Sequence, residues 1–279
     1  MPAISVVMPL YKPKIKYLEK SLKSLVNQTF DDYEILILYD MCNIKAWDNV
    51  VKAVIEKYKD MKLIRFFTSK RRLGFVKSLN LGIKLSKAKF IARADYDDLY
   101  DKRRLELQFE TIKNSNNQKK KICVVGSWGL VIDERDNIIG QWITPITPSQ
   151  IKKYLAFHTP FIHSSVLLNR QEVINAGLYS ESYYGSEDYE LWIRLIYSNK
   201  CLGYNIPKFL VYYRLTNQSL MRPRNIPTIR VALKLTNLLR MPLRDVLLRR
   251  SLNVHNSLPM KLLEYIKKKS KGKTIEEFI

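Results

Sequence analysis

Three cysteines in 279 residues, Cys42, Cys123 and Cys201, are odd in number, far apart and without CxxC spacing. Neither a disulfide framework nor a zinc knuckle follows from them, and a reducing, cytoplasmic setting is the expectation. No stretch reaches the roughly 18 uninterrupted apolar residues that a membrane-spanning helix needs. The opening MPAISVVMPLYKPKIKYLEK has no positive region ahead of its apolar run, so it does not resemble a secretory signal. Internal repeats and low-complexity segments are missing as well. Acid is in short supply: 26 Asp+Glu stand against 48 Lys+Arg, a formal net charge of +22. That excess suits nucleic acid, an anionic membrane or anionic small molecules, and composition alone does not choose among them.

Against this scarcity, residues 91–100 read IARADYDDLY and crowd Asp95, Asp97 and Asp98 directly behind an apolar run. Like charges so close repel, and something positive is expected there. Asp98 could N-cap a following helix with Asp101 in its first turn, which explains one or two of the acids but not three. A Mg²⁺ or Mn²⁺ held by one or two carboxylates together with substrate phosphates explains the cluster better.

The first hundred residues alternate strand and helix signals. Strands are expected at 4–8, 34–38, 63–67 and 90–94, and amphipathic helices at 15–28, 47–58 and 75–86. This β-α-β-α-β-α-β order predicts a mostly parallel, Rossmann-like α/β sheet with helices on both faces. Ligands bind such sheets beyond the carboxyl ends of the strands. Pro9–Tyr11, Asp40 and Asp95–Asp98 all fall at those ends and should converge. Past residue 100 the pattern is less regular. A helix is expected at 104–112, an antiparallel hairpin over 122–132 and 138–143 around DERDN, a strand at 165–168, a helix at 187–198 and a last strand at 209–214.

Four segments, SVVMPLY, SLVNQTFDDYEILILYD, GFVKSLNLGIKLSKAKFIARADYDD and SEDYELWIRL, occur in that order. Together they resemble the signatures of family 2 glycosyltransferases of the GT-A fold over about residues 3–220. The resemblance implies a nucleotide-sugar-binding half at 1–100 and an acceptor-binding half at 101–220; beyond it a basic, amphipathic helical extension is expected at 221–279. The resemblance also implies that Asp40 reads the nucleobase, with Pro9 and Tyr11 shaping the loop around it. Asp95 and Asp97 would bind the donor, Asp97 and Asp98 the metal, and Asp188 would be the general base of an inverting transfer, with Glu187 beside it. Arg214, in a Tyr-Arg pair, and Arg72, in the basic run Lys70–Arg72 before Gly74, are phosphate-binding candidates. His163 is a candidate ligand contact or a hydrogen-bonded structural histidine. Trp192 and Leu195, at helical spacing, belong to a core.

The implied reaction moves a sugar from a UDP- or GDP-sugar to an acceptor hydroxyl, glycan- or lipid-linked. It needs charge stabilisation on the departing diphosphate and a base for the hydroxyl proton. Departures from the family pattern are Lys12, where Asn is usual, Tyr39-Asp40-Met41-Cys42 at the end of the second strand, and Thr216, where His often helps the metal. These leave the donor's identity open and allow a donor-binding but degenerate relative. The processive QxxRW element is missing, which favours transfer of single sugars.

Residues 221–279 interleave Leu and Val with Arg222, Arg224, Arg230, Lys234, Arg240, Arg244, Arg249, Arg250 and Lys267–Lys269. Either an interfacial segment on anionic lipid or a helical cap with a solvated basic face fits. A nucleotidyltransferase would carry a Gly-rich loop where PLYKPK stands. A nucleic-acid-binding protein would not place three Asp residues against phosphate; no nucleic-acid partner is expected.

Overall fold

Strands buried on both faces need helices on both sides, and this requirement sets the architecture. The computed structural model describes residues 1–216 apart from 41–44, 59, 61, 62, 70, 116–120, 157, 199 and 200. Strands β1 (Ile4–Leu10) and β2 (Tyr33–Asp40) are buried along their whole length. Alternation divides their side chains between two clusters. Val6, Met8, Ile35, Ile37 and Tyr39 face one side, where Leu18, Leu22 and Leu25 of α1 (Ile15–Val26) and Val51 and Ile55 of α2 (Lys45–Glu56) cover them. Val7, Leu36 and Leu38 face the other, under Val76, Leu79 and Ile83 of α3 (Phe75–Leu85).

Strands β1, β2, β3 (Ile64–Ser69) and β4 (Phe90–Arg93) are parallel in the order β3-β2-β1-β4. Right-handed crossovers place the helices of the outward path, α1 and α2, on one face and the returning α3 on the other. The order reverses between β1 and β4, and such a switch point opens a crevice at the strand ends. Gly82 lets α3 lie close on the sheet: a Cβ there would stand 2.4 Å from Cγ1 of Val7.

The sheet continues as β4-β8-β6-β9-β5, with β7 on β6, so that nine strands form one sheet among the described residues. These are β5 (Leu99–Tyr100), β6 (Ile122–Ile132), β7 (Ile138–Trp142), β8 (Leu167–Asn169) and β9 (Leu202–Arg214). The expected hairpin is present, β7 antiparallel to β6. Its turn is closed by Asp133, whose Oδ1 accepts the amides of Arg135 and Asn137 at 2.8 and 2.9 Å. Strand β9 starts earlier than residue 209. Its pairing with β6 shifts register between Ile206 and Phe209, where Pro207 interrupts the ladder and the sequence pattern with it. Helix α4 (Arg104–Asn114) packs on β6. Helices α5 (Pro148–Leu155) and α6 (Arg170–Asn175) were not expected, although Thr147 and Gln150 form a capping box around Pro148. Helix α7 (Glu187–Ile193) passes into a wider π turn over Arg194–Ser198, and Trp192 and Leu195 are fully buried in it.

The expectation for the cysteines is overturned. Cys123 and Cys201 form a disulfide with Cα atoms 5.6 Å apart, 78 positions apart in the chain. Pairing of Ile122 with Leu202 brings the two strand starts together, a proximity that spacing in the sequence does not reveal. Among the described residues no helix is long and apolar enough to cross a membrane. Cys42, Lys70 and the extension at 221–279 lie outside the described residues.

Candidate active site

The crevice between β1 and β4 gathers the side chains that follow the parallel strands. Pro9 is buried within β1, opposite Leu38. Tyr11, half-buried just beyond β1, has the guanidinium of Arg72 4.8 Å and the ammonium of Lys12 5.6 Å from its ring centroid. Asp40, at the end of β2, is 4% exposed. Its two oxygens accept the backbone amides of Leu73 and Gly74 at 2.7 and 2.8 Å. Asp40 therefore pins the segment that carries Arg72 and ends in Gly74, the N-cap of α3, where φ is +83°. A carboxylate has about four lone-pair positions, so the two amides leave it some acceptor capacity.

Phe75 links this wall to the acidic loop, because the guanidinium of Arg93, last residue of β4, lies 5.1 Å from its ring centroid. Arg93 Nη2 donates to Asp95 Oδ1 at 2.7 Å, and a second nitrogen donates to the Ala94 carbonyl. The hydroxyl of Tyr100 accepts the Asp95 amide at 2.6 Å, and Ser21 Oγ donates to the Asp95 carbonyl at 3.1 Å. Arg214, at the end of β9, reaches the same loop. Its Nε donates to the Asp97 carbonyl at 2.7 Å and its backbone N–H to Asp98 Oδ1 at 2.8 Å. Arg93, Arg104 and Arg214 are 2%, 0% and 1% exposed, so the protein itself supplies buried positive charge beside its crowded carboxylates. Sequence reasoning did not single out Arg93 or Arg104. The visible signal for the first was a lone cation closing the apolar strand FIAR.

Compensation is incomplete. Burial, then the charge of Asp95, pushes Asp97 up to about 6, against the pull of its own amide, Arg214 and Arg93. Burial and the charges of Asp97 and Asp95 hold Asp98 well above the usual carboxylate range. These two acids were expected to share a metal, and the structure separates them. Asp98 is 1% exposed and braces the Arg214 backbone, so its carboxylate faces the interior. Asp97 is largely buried but keeps some exposure, and among the described residues no side-chain donor occupies its carboxylate. An under-neutralised, hard oxygen ligand of this kind suits Mg²⁺ or Mn²⁺. The fit rests on Asp97.

Arg214 also departs from its expected part. A phosphate ligand needs an accessible guanidinium. This one is 1% exposed: Nε holds the Asp97 carbonyl, Nη1 holds the Asp133 carbonyl at 2.8 Å and pairs with Asp136 at 2.5 Å, Nη2 is buried without a partner among the described residues, and the guanidinium carbon lies 4.3 Å from the Tyr17 ring centroid. Arg214 is a brace between the acidic loop and the hairpin turn.

Asp188 stands in the first turn of α7, near enough to Arg93 and Tyr179 to interact electrostatically with both. Burial, then Glu187, pushes its carboxyl up to about 7, while backbone amides and Arg93 oppose the rise. Glu187 is buried and accepts the Gly185 amide at 2.5 Å, which shapes the turn into the helix. His163 Nε2 lies 3.0 Å from the Tyr179 hydroxyl. Burial and Arg93 hold His163 well below the ordinary histidine value, so it is a neutral, hydrogen-bonded part of the wall.

Residues 5–178 match the sequence profile of Glycosyl transferase family 2. An uncharacterized glycosyltransferase of Methanocaldococcus jannaschii is 33% identical over 218 residues, covering 78% of this chain and 72% of the relative. A UDP-Gal:alpha-D-GlcNAc-diphosphoundecaprenol beta-1,3-galactosyltransferase of Escherichia coli is 28% identical over 224 residues, covering 79% and 77%. The solved structure of S. aureus TarS superposes with TM-score 0.62 at 16% identity, covering 92% of this chain and only 44% of that longer one. The mannosyltransferase PcManGT of Pyrobaculum calidifontis, in complex with GDP-Man and Mn²⁺, gives 0.60 at 14%, covering 95% and 73%. At such identities the two structures establish the fold, GT-A. The chain belongs to glycosyl transferase family 2 and is a glycosyltransferase.

Proposed function

We propose that this enzyme is a metal-assisted, inverting glycosyltransferase that moves one sugar from a UDP- or GDP-sugar to the hydroxyl of a glycan- or lipid-linked acceptor. The observation that carries the reading is Asp188. Its carboxyl is held near neutrality at a helix N-terminus, in the field of the same Arg93 that grips Asp95. A base with a proton affinity near the working pH is effective at accepting an acceptor's hydroxyl proton. As that oxygen attacks the anomeric carbon, the bond from carbon to the diphosphate oxygen breaks on the opposite side, and configuration inverts.

Pro9, Tyr11 and the segment pinned by Asp40 form the nucleoside wall, with Arg72 at its rim. Asp95 is the ribose ligand. A Mg²⁺ or Mn²⁺ held by Asp97 would supply Lewis-acid neutralisation of the departing diphosphate. The metal is supported by the Mn²⁺ in the mannosyltransferase of similar fold, and a lipid-linked acceptor by the name of the galactosyltransferase relative. The basic residues of 221–279 suit an anionic, cytoplasmic membrane face on which such an acceptor would be met.

Calorimetric titration of UDP and GDP, with and without Mn²⁺, on wild type and Asp97→Ala tests the reading. Metal-dependent binding of one nucleotide, lost in the variant, is expected. Asp188→Asn should keep nucleotide binding and lose transfer. Absence of nucleotide binding under every metal condition would reject the reading.

A further inference from the structure

A buried arginine at the end of a central strand is costly, since an apolar residue would complete the core there without removing a charge from water. Arg93 ends β4, is 2% exposed, and is held from several directions. Its Nη2 meets Asp95 Oδ1 at 2.7 Å, its guanidinium faces the Phe75 ring, and its carbonyl accepts Arg104 Nη2 at 2.7 Å. The backbone of Asp95 is clamped just as firmly. Its amide donates to the Tyr100 hydroxyl at 2.6 Å, and that hydroxyl donates back to the Asp95 carbonyl at 3.0 Å. Main chain and one carboxylate oxygen are therefore fixed. Among the described residues no donor takes Oδ2, and the side chain is 29% exposed.

We propose that Arg93 is a positioning residue of the donor site, one that fixes Asp95 so that Oδ2 is presented to the ribose hydroxyls of the nucleotide. This inference rests on the donor reading above and deepens it. A charge-assisted bond to one carboxylate oxygen leaves the other oriented before the nucleotide arrives, so less ordering accompanies binding. Arg93 acts through Asp95 and has no contact of its own with the donor.

The test is a double-mutant cycle read by calorimetry on the full chain with Mn²⁺, using UDP or GDP, whichever wild type binds, and its 2′,3′-dideoxy analogue. Arg93→Gln and Asp95→Asn should each weaken the ribonucleotide by about tenfold, and the double variant should be no weaker than Asp95→Asn alone. Arg93→Lys, which keeps the charge without the planar fork, should recover part of the loss. With the dideoxy analogue, Arg93→Gln and wild type should bind alike. Losses that add, a penalty that persists on the analogue, or an Arg93→Gln variant as tight as wild type would each overturn the inference. Thermal melts run alongside, and if Arg93→Gln fails to fold, the cycle is run with Arg93→Lys under the same criteria. Wild type that binds neither nucleotide rejects the donor reading itself, a result distinct from any of these.

Discussion

The backbone N–H of Arg214 donates to Oδ1 of Asp98 at 2.8 Å, joining residues 116 positions apart. The side chain of the same residue holds the Asp97 carbonyl and pairs with Asp136 in the hairpin turn, and Lys20 of α1 pairs with Asp136 as well. The last described strand thus fixes the acidic loop that ends the parallel half of the sheet.

Removing that guanidinium should cost more than a surface ion pair would. Arg214→Ala leaves Asp136 and the Asp97 carbonyl without their buried partner, and stability is expected to fall by about 3 kcal/mol or more. Urea unfolding measures this. Nucleotide affinity should fall in the variants that still fold, since Asp97 loses its seat.

The pH dependence follows from Asp188. As a base it works ionised, and its surroundings raise its proton affinity to about 7. The turnover rate should therefore fall about tenfold per pH unit below that value and level off above it. A profile flat down to pH 5 would show that another group takes the proton.

The Cys123–Cys201 bridge predicts thiol counts. Denatured without reductant, the three-cysteine chain should titrate one free thiol, and after reduction three. A bridge that closes a loop of 78 positions stabilises by about 4.5 kcal/mol on chain-entropy grounds, so Cys123→Ser with Cys201→Ser should lower the melting temperature by roughly 10 °C.

Gly82→Ala places a methyl group 2.4 Å from Val7 Cγ1 and 3.0 Å from Leu38 Cδ2. Overpacking of about 1–3 kcal/mol exceeds the gain in helix propensity of up to about 1 kcal/mol. The urea midpoint should drop, and relief by Val7→Ala in the double variant would locate the clash.

Much of this was legible beforehand for a local reason. The parallel half is written in apolar runs of four to eight residues separated by amphipathic helices, and each pattern is complete within its own segment. The acidic loop and the Glu187–Asp188 pair were equally visible, because carboxylates crowded in a basic chain are conspicuous without any partner. Helices α5 and α6 were missed because they are short and only partly apolar, and β5 because two residues carry no period.

What the sequence determined by itself is the order of elements in the parallel half and the residue types that fall at the carboxyl ends of its strands. Tertiary structure alone decided which of those residues face the crevice. Asp97 and Asp98 are neighbours of identical chemistry, yet one keeps some exposure and the other is 1% exposed, because the Arg214 backbone arrives from β9 to bond Asp98. Arg214 changes from ligand to brace for the same reason, and Cys123 meets Cys201 only through the pairing of β6 with β9. Such contacts join distant segments, and the direction in which a buried polar side chain points is set by the partner that satisfies it. A periodicity in one segment carries no information about that partner.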